Sequence, residues 1–226
     1  MRTVCEIYEQ AGAAREQGIH VASCDEKTGI QALERLNPTL DMEPGQTERR
    51  EFEYVRHGTQ TLIASMDVAT GQMLAPSVGS TRTETDFAAH VEGVVETARD
   101  DSWIFVCDQL NTHKSEALVR LVAEREGRGE ELGVKGESGI LHTMSTRESY
   151  LRDPSHRIRF VYTPKHTSWL NQVEIWFSIL VRRLLKRASF VSAVALREQL
   201  LAFIEYFNTT LAKPFRWTYK GRPLRA

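Results

Sequence analysis

The chain has 226 residues, of which 41% are hydrophobic and 26% charged, a composition typical of a soluble globular protein with a substantial core. No run approaches the roughly 20 apolar residues of a membrane helix and the N-terminus lacks a signal-peptide pattern, so we expect no membrane partner and a cytoplasmic location. Three cysteines without CxxC spacing argue against a zinc knuckle or a disulfide framework.

The hydrophobic pattern predicts helices and strands that alternate along the chain. In chain order these are a helix over 3–17, a strand over 18–26, a hairpin of strands 60–67 and 72–78, a helix over 83–98, a strand over 102–109, a helix over 112–126, a strand over 157–164, a helix from Pro164 to about Lys186, and a helix over 193–207. Long helical crossovers between apolar strands imply an α/β fold, a mixed sheet with helices on its faces.

Residues 127–139 contain five glycines and no periodicity, and the pattern stays ambiguous up to His156. We therefore predict that 127–156 is an inserted segment or a flexible loop.

The net charge of −1 conceals a strong asymmetry along the chain. Residues 152–226 contain 14 Lys and Arg against 4 Asp and Glu, whereas residues 1–151 contain 15 against 26. This separation indicates that the C-terminal third faces a polyanion such as nucleic acid. An ordinary solvated surface with one basic half is the alternative.

Three carboxylates lie at the ends of predicted elements. Asp25 ends the first strand, Asp108 ends the buried fourth strand, and Glu174 lies in the first turns of the helix after the last strand. Ligands of open α/β sheets collect beyond the strand ends, so these side chains converge if strands one and four are adjacent and parallel. A close pair of carboxylates costs roughly 3–4 kcal/mol at an effective dielectric of 20. A hard divalent cation relieves that repulsion, and oxygen ligands favour Mg²⁺ or Mn²⁺.

Two such ions that share a carboxylate can activate a water and stabilise the leaving oxygen of a phosphodiester. Each residue also has a purely structural interpretation. Asp25 suits a turn, Asp108 could cap local backbone amides, and Glu174 could reach back to the amide of Asn171 in a capping box. Asp67, inside the hairpin turn, we interpret as structural.

Four motifs occur in the order "CDEKTGIQALER", "YVRHGTQTLIASMDVATGQ", "CDQLNTHKS" and "TPKHTSWLNQVEIWFSIL". Together they resemble the catalytic domain of bacterial insertion-sequence transposases related to mariner, in the DDE transposase and retroviral-integrase superfamily. The resemblance implies a ribonuclease-H-like fold, a mixed five-stranded sheet flanked by helices, with Asp25, Asp108 and Glu174 as the catalytic triad that binds two Mg²⁺ or Mn²⁺ ions. It also implies hydrolysis of transposon-end phosphodiesters and transfer of the freed 3′-hydroxyl into target DNA.

The same resemblance implies insertion at TA dinucleotides, a homodimer in the active complex, and a bacterial, nucleoid-associated enzyme. Members of this group carry a helix-turn-helix region before the catalytic domain. We therefore expect residues 1–17 to be a helix left from the linker to that region and 18–226 to be the catalytic domain. The alternatives are an inactive or truncated remnant that only binds DNA, and a ribonuclease-H-like nuclease that cuts without joining.

Polar and basic residues around the third carboxylate are candidates for DNA contact. Lys165 could hold a phosphate, His113 could approach the scissile phosphate or cap the next helix, and Trp169 could stack on a displaced base or pack in the core. Trp176 fits the core and His57 a structural role. The full set of DNA-contact candidates is Lys27, His113, Lys165, His166, Trp169, Asn171, Arg182, Arg183, Lys186 and Arg187.

Overall fold

A computed structural model describes residues 1–37, 40, 42–49, 53–127 and 131–221. The strands are β1 (Ile19–Arg35), β2 (Tyr54–Asp67), β3 (Met73–Gly79), β4 (Ser102–Cys107) and β5 (Ile158–Tyr162). The helices are α1 (Arg2–Arg15), α2 (Glu84–Val95), α3 (Glu116–Arg125), α4 (Met144–Leu151), α5 (Val173–Leu180) and α6 (Ala193–Thr210). The prediction of five strands in one mixed sheet is confirmed, and the strand order is β3-β2-β1-β4-β5.

The central strand β1 is longer than its sequence predicted. It pairs in parallel with β4 only from Ile19 to Ser23, whereas its antiparallel pairing with β2 continues to Arg35. The prediction that the strand ends near Asp25 is therefore wrong, because β2 provides hydrogen-bonding partners beyond the end of β4. Beyond Ser23, the edge of β1 that faced β4 is left open for other parts of the chain.

Helices cover both faces of the sheet, as the alternation of side chains along the strands requires. On β4, Trp103 and Phe105 belong to the cluster with α2, α3 and α4, whereas Ile104 and Val106 pack with α1 on the opposite face. That opposite face also receives α5 and α6, which pack on β1 and β2. The sequence places Trp169, Val173, Trp176, Phe177 and Leu180 on one apolar stripe, and the last four are buried on α5. The predicted start of this helix at Pro164 is wrong, because a separate 3-10 turn over Ser168–Leu170 precedes α5.

The segment 127–156, predicted to be an insertion or a flexible loop, contains a helix that the sequence pattern did not indicate. Helix α4 lies within it and begins at a capping box formed by Thr143 and Thr146. Leu141 and Leu151 are fully buried in the core, and Arg147 donates to the carbonyls of Leu141 and Lys114. The helix is short and mostly polar, so tertiary contacts rather than periodicity stabilise it. Residues 128–130 of the predicted loop lie outside the described residues.

The N-terminal helix predicted over 3–17 is confirmed as α1, which packs against the sheet through Val4, Tyr8 and Ala11. Its contacts make it part of the same hydrophobic core as the strands. The C-terminal segment crosses this helix, with the Trp217 ring 5.1 Å from that of Tyr8. Among the described residues, none of the helices combines the length and apolar character needed to cross a bilayer.

Candidate functional site

The register of the two central parallel strands brings two of the predicted carboxylates to one level. β1 and β4 pair from Ile19 with Ser102 to Ser23 with Val106. Continuing this register by two residues sets Asp25 level with Asp108. Since Val106 contacts α1, the alternation directs Asp108 to the face covered by α1, α5 and α6. The condition for convergence, that the first and fourth strands are adjacent and parallel, is thus met.

The start of α5 is fixed to β1 by a group of buried hydrogen bonds. The Asn171 Nδ2 donates to the Cys24 carbonyl at 2.8 Å and to the Asp25 Oδ2 at 3.1 Å. The Ser23 hydroxyl donates to the Asn171 Oδ1 and accepts the backbone N–H of Val173 at 2.9 Å. These bonds anchor the first helical turn, which carries Glu174, beside Asp25.

Glu174 does not form the capping box that its spacing from Asn171 allowed. The helix begins at Val173 with Gln172 as its N-cap, and no side chain there makes a capping hydrogen bond. The Asn171 side chain bonds to β1, and its backbone N–H donates to the Ser168 carbonyl at 2.8 Å, so neither group is available for the box. The half-buried Glu174 therefore lies in the first turn of α5 without the local role that the structural interpretation gave it.

Asp25 is almost fully buried and holds its proton unusually strongly. Its Oδ1 accepts the backbone N–H of Glu26 at 2.8 Å. Burial, reinforced by the negative charge of Asp108, raises the pKa of Asp25 from 3.8 to about 7. Like charges that repel across a short gap are the condition that a divalent cation relieves. Oxygen donors from Asp25, Asp108 and Glu174 fit a hard cation such as Mg²⁺ or Mn²⁺.

Asp108 differs from Asp25 because it is partly open to solvent and is hydrogen-bonded in its charged form. Its Oδ1 accepts the backbone N–H of Leu110 at 2.8 Å and lies 2.9 Å from the His113 Nδ1. Burial alone would raise the pKa of Asp108, but these bonds bring it below its ordinary value. Asp108 thus does cap a local backbone amide, as its structural interpretation predicted. Both of these contacts are made by Oδ1, so Oδ2 takes part in neither.

His113 lies between two carboxylates rather than at a DNA-facing surface. Its Nε2 is 2.9 Å from the Glu26 Oε2, its Nδ1 is 2.9 Å from the Asp108 Oδ1, and its ring lies 4.3 Å from that of Phe87. Burial opposes the charged imidazolium, but the bonds to Asp108 and Glu26 prevail and raise the pKa of His113 to about 10. His113 therefore has neither of the two roles predicted for it, DNA contact or helix cap. It forms a buried bridge between Glu26 and Asp108 instead.

Asp25, Glu26 and His113 also form a cluster whose ligand atoms lie within 4.8 Å of one another. The side chains of Glu26 and His113 are almost completely buried and neutralise each other. An ion there would have to displace the His113 proton and would be closed off from a polymeric substrate. We therefore favour the predicted set with Asp108, whose side chain is 35% exposed. Sequence reasoning missed Glu26 and Ser23, which only the fold brings to the site.

The remaining candidates divide into exposed and buried side chains. Lys165 and His166 are exposed in a groove of about 310 Å³ that also contacts Asp108. Trp169 is 51% exposed and its ring meets Tyr219 edge-on at 4.9 Å, so the core-packing interpretation is wrong. Asn171 is fully buried, so it is not placed to contact DNA as predicted, and its Nδ2 donates to the Asp25 carboxylate instead.

Lys27 lies 5.8 Å from the centre of the Phe177 ring. Arg182, Arg183, Lys186 and Arg187 are exposed beyond the end of α5, where the helix continues as one π-helical stretch, Val181–Leu185.

The three residues with expected structural roles have them. The Asp67 carboxylate accepts the backbone N–H groups of Ala69 and Thr70 in the hairpin turn and pairs with Arg15. The His57 Nε2 lies 2.7 Å from the Glu34 carboxylate on the neighbouring strand. Trp176 is fully buried in the core.

We expect the Asp25 carboxyl of the metal-free protein to titrate near pH 7, which ¹³C NMR of the side-chain carboxyl carbon measures. Its pKa is raised on folding, so the native state binds the extra proton between the unfolded pKa of about 3.9 and about 7. This group therefore makes the free energy of unfolding fall as pH rises through that window, and Asp25→Asn removes the dependence. In Asp108→Asn the Asp25 titration should move to lower pH. A midpoint near 4 in the unaltered protein would contradict the burial of Asp25, and an unchanged midpoint in Asp108→Asn would contradict the influence of Asp108.

In a comparison with protein families, residues 20–197 match the family described as DDE superfamily endonuclease. A comparison with curated proteins found no match. Among solved structures, a pre-cleavage Mos1 transpososome is similar at a TM-score of 0.54 and 12% identity, covering 90% of this chain and 54% of that one. The Mos1 mariner paired-end complex with Mn is similar at a TM-score of 0.52 and 13% identity, covering 90% and 53%.

The catalytic domain of Mos1 mariner transposase is similar at a TM-score of 0.51 and 11% identity, covering 90% of this chain and 78% of that one. This chain thus spans about half the length of the Mos1 chains in the two complexes. At these identities the likeness concerns the fold. It confirms the predicted ribonuclease-H-like architecture, a mixed five-stranded sheet flanked by helices.

Proposed function

This chain belongs to the DDE superfamily endonucleases, and from that premise we propose that it is the catalytic domain of a mariner-like DNA transposase. The reaction is hydrolysis of phosphodiesters at the transposon ends, followed by transfer of the 3′-hydroxyl into target DNA. One observation carries the proposal. Asp25 and Asp108 each follow by two residues the last pair of β1 and β4, Ser23 with Val106, and Asn171 anchors the turn that carries Glu174 to the Asp25 carboxylate.

We propose that Asp25, Asp108 and Glu174 hold two Mg²⁺ or Mn²⁺ ions. When bound, such ions supply an activated water and stabilise the leaving oxygen of an in-line displacement. Structures of the Mos1 catalytic domain have been solved with Raltegravir and Mn and with Raltegravir and Mg. The raised pKa of Asp25 supports the assignment, since burial and the charge of Asp108 both disfavour the carboxylate form, and a bound cation would compensate that charge.

The surrounding residues hold the carboxylates in position and bind substrate. Asn171 orients Asp25 through its Nδ2, and His113 orients Asp108 while its own charge is balanced by Glu26. In the groove beside Asp108, the exposed Lys165 provides a positive charge for a phosphate of the bound strand. The exposed ring of Trp169, next to the same groove, offers a surface on which a displaced base can stack.

The proposed partners are transposon-end DNA and target DNA, with insertion at TA sites by a homodimer. Mos1 transposase has been captured in paired-end and pre-cleavage complexes, of which this chain spans about half the protein length. We also propose a bacterial host, with the enzyme in the cytoplasm and at the nucleoid when active. The basic C-terminal third supports a polyanionic partner, with 14 Lys and Arg against 4 Asp and Glu after Leu151.

Incubation with supercoiled plasmid tests the proposal. We expect weak, sequence-independent nicking that needs a divalent cation, is stronger with Mn²⁺ than with Mg²⁺, and stops with EDTA. A labelled oligonucleotide with a free 3′-hydroxyl should also become joined to the plasmid. Nicking without joining would identify a nuclease, and DNA binding without either would identify an inactive remnant. Nicking that persists in EDTA would contradict a metal-dependent carboxylate site.

A further inference from the structure

A second cavity lies beyond the C-terminal end of α5, where the π-helical stretch meets the last turns of α6. Its volume is about 920 Å³, enough for more than one nucleotide unit. Its lining combines four cationic side chains with aromatic rings: Arg182, Arg183, Arg187, Lys213, Phe203, Tyr206, Phe207 and Phe215. The mechanism proposed above does not use it.

The cations of this cavity have no acidic partner among the residues that the structure describes. Within the part of the chain that the structure describes, no carboxylate forms an ion pair with Arg182, Arg183, Arg187 or Lys213. Other arginines of the same fold are paired, for example Arg125 with Glu92 at 2.5 Å. Four like charges around one cavity repel each other, and a ligand with several negative charges relieves that repulsion. Guanidinium groups in particular bind phosphates in a bidentate manner.

The aromatic lining distinguishes this cavity from a plain basic surface. Tyr206 is 50% exposed. Phe203 instead packs against the buried Trp176, with the two ring centres 6.4 Å apart. Exposed rings beside arginines are the combination that single-stranded nucleic acid uses, because the bases stack while the phosphates pair with cations. In a duplex the bases are already stacked on each other and offer no free face to Tyr206.

The cavity is connected to the carboxylates by one continuous helical segment. From Glu174 to Arg183 the rise is roughly 14 Å at 1.5 Å per residue. That distance corresponds to about four nucleotide steps at the 3.4 Å spacing of one duplex strand, and to fewer steps in a more extended unpaired strand. A strand whose phosphate lies at the carboxylates can therefore reach the cavity a few nucleotides away.

We propose that this cavity binds an unpaired DNA strand, with phosphates on the arginines and one base on Tyr206. The proposal rests on the proposed function and adds a substrate feature, a short single-stranded stretch near the cleaved bond. The π-helical hydrogen bond from Lys186 N–H to the Val181 carbonyl, at 2.9 Å, fixes the backbone that presents Arg182, Arg183 and Arg187.

Fluorescence anisotropy with a labelled oligothymidylate of about 12 nucleotides, in EDTA, tests the proposal without catalysis. We expect the double variant Arg183→Ala/Arg187→Ala to bind at least about tenfold more weakly, with the salt slope reduced by about 1.4. Tyr206→Ala should weaken binding about 5- to 100-fold, and Tyr206→Phe should retain it. Arg197→Ala, which removes an exposed cation of α6 outside the cavity, is the matched control and should change binding less than about twofold.

Equal losses in Arg197→Ala and the double variant would overturn the cavity as the binding site. Equal binding by Tyr206→Ala and Tyr206→Phe, or the same losses on a duplex of that length, would overturn the stacked base. Unchanged thermal unfolding of each variant shows that the fold is retained. If the unaltered chain nicks plasmid but the cavity variants bind normally, this inference fails while the proposed function stands. If metal-dependent nicking is absent, the proposed function fails regardless of the binding results.

Discussion

Asp108→Asn should reduce Mn²⁺-dependent plasmid nicking by on the order of 10²–10³-fold or more, the size of loss seen when a group that stabilises developing charge is removed. Asp108 and Asp25 each follow by two residues the last pair of the parallel strands, Ser23 with Val106, and the Asp108 side chain is the more exposed of the two. The substitution keeps the size of the side chain and an oxygen for the Leu110 amide, but it removes the negative charge. We therefore expect the fold to persist while activity is lost.

Asp100→Asn is the matched control, since it makes the same change of charge just before the opposite end of β4. Its nicking rate should stay within about twofold of the unaltered chain, as expected for an exposed surface residue. Nicking gel assays and thermal unfolding of both variants provide the comparison. Equal activity of Asp108→Asn and the unaltered chain would remove Asp108 from the reaction and would leave Asp25, Glu26 and His113 as the metal cluster to test.

The parts of this site that sequence could predict are those with a local signal. The buried run that ends at Cys107 and the apolar stripe of α5 fix an element and its direction, so Asp108 and Glu174 could be placed at element ends. The adjacency of β1 and β4 then needed only the preference of α/β folds for parallel neighbours. Family resemblance supplied the assignment of the three carboxylates to one site.

The remainder could not be predicted because it depends on partners far away in the chain. Glu26 and His113 are 87 residues apart in the chain, and no feature of the sequence indicates that they form a buried pair. β1 continues beyond Asp25 only because β2 pairs with it, and α4 is stabilised by packing of a few residues on the core. Trp169 continued the apolar stripe in the sequence, but a turn before α5 rotates it out to solvent.

His113→Ala should have the second large effect, a loss of roughly 3–5 kcal/mol in the free energy of unfolding, as for other buried ion pairs that lose one partner. The Glu26 carboxylate, whose side chain is 1% exposed, would remain without its cation. The pKa of His113 is raised on folding from about 6.5 to about 10. The ion pair therefore contributes its full stabilisation to the native state below about pH 6.5, and this stabilisation is lost as pH rises through about 10. The deficit of the variant should therefore be larger at pH 6 than at pH 10.

Glu26→Gln completes a double-mutant cycle that separates the ion pair from simple loss of packing. The double variant His113→Ala/Glu26→Gln should be more stable than the sum of the single losses allows, because no uncompensated charge stays buried. Urea unfolding followed by circular dichroism measures each corner of the cycle. Strictly additive losses would show that His113 acts through its packing on Phe87 alone. A positive coupling would instead show that the ion pair with Glu26 stabilises the buried His113 that also contacts Asp108.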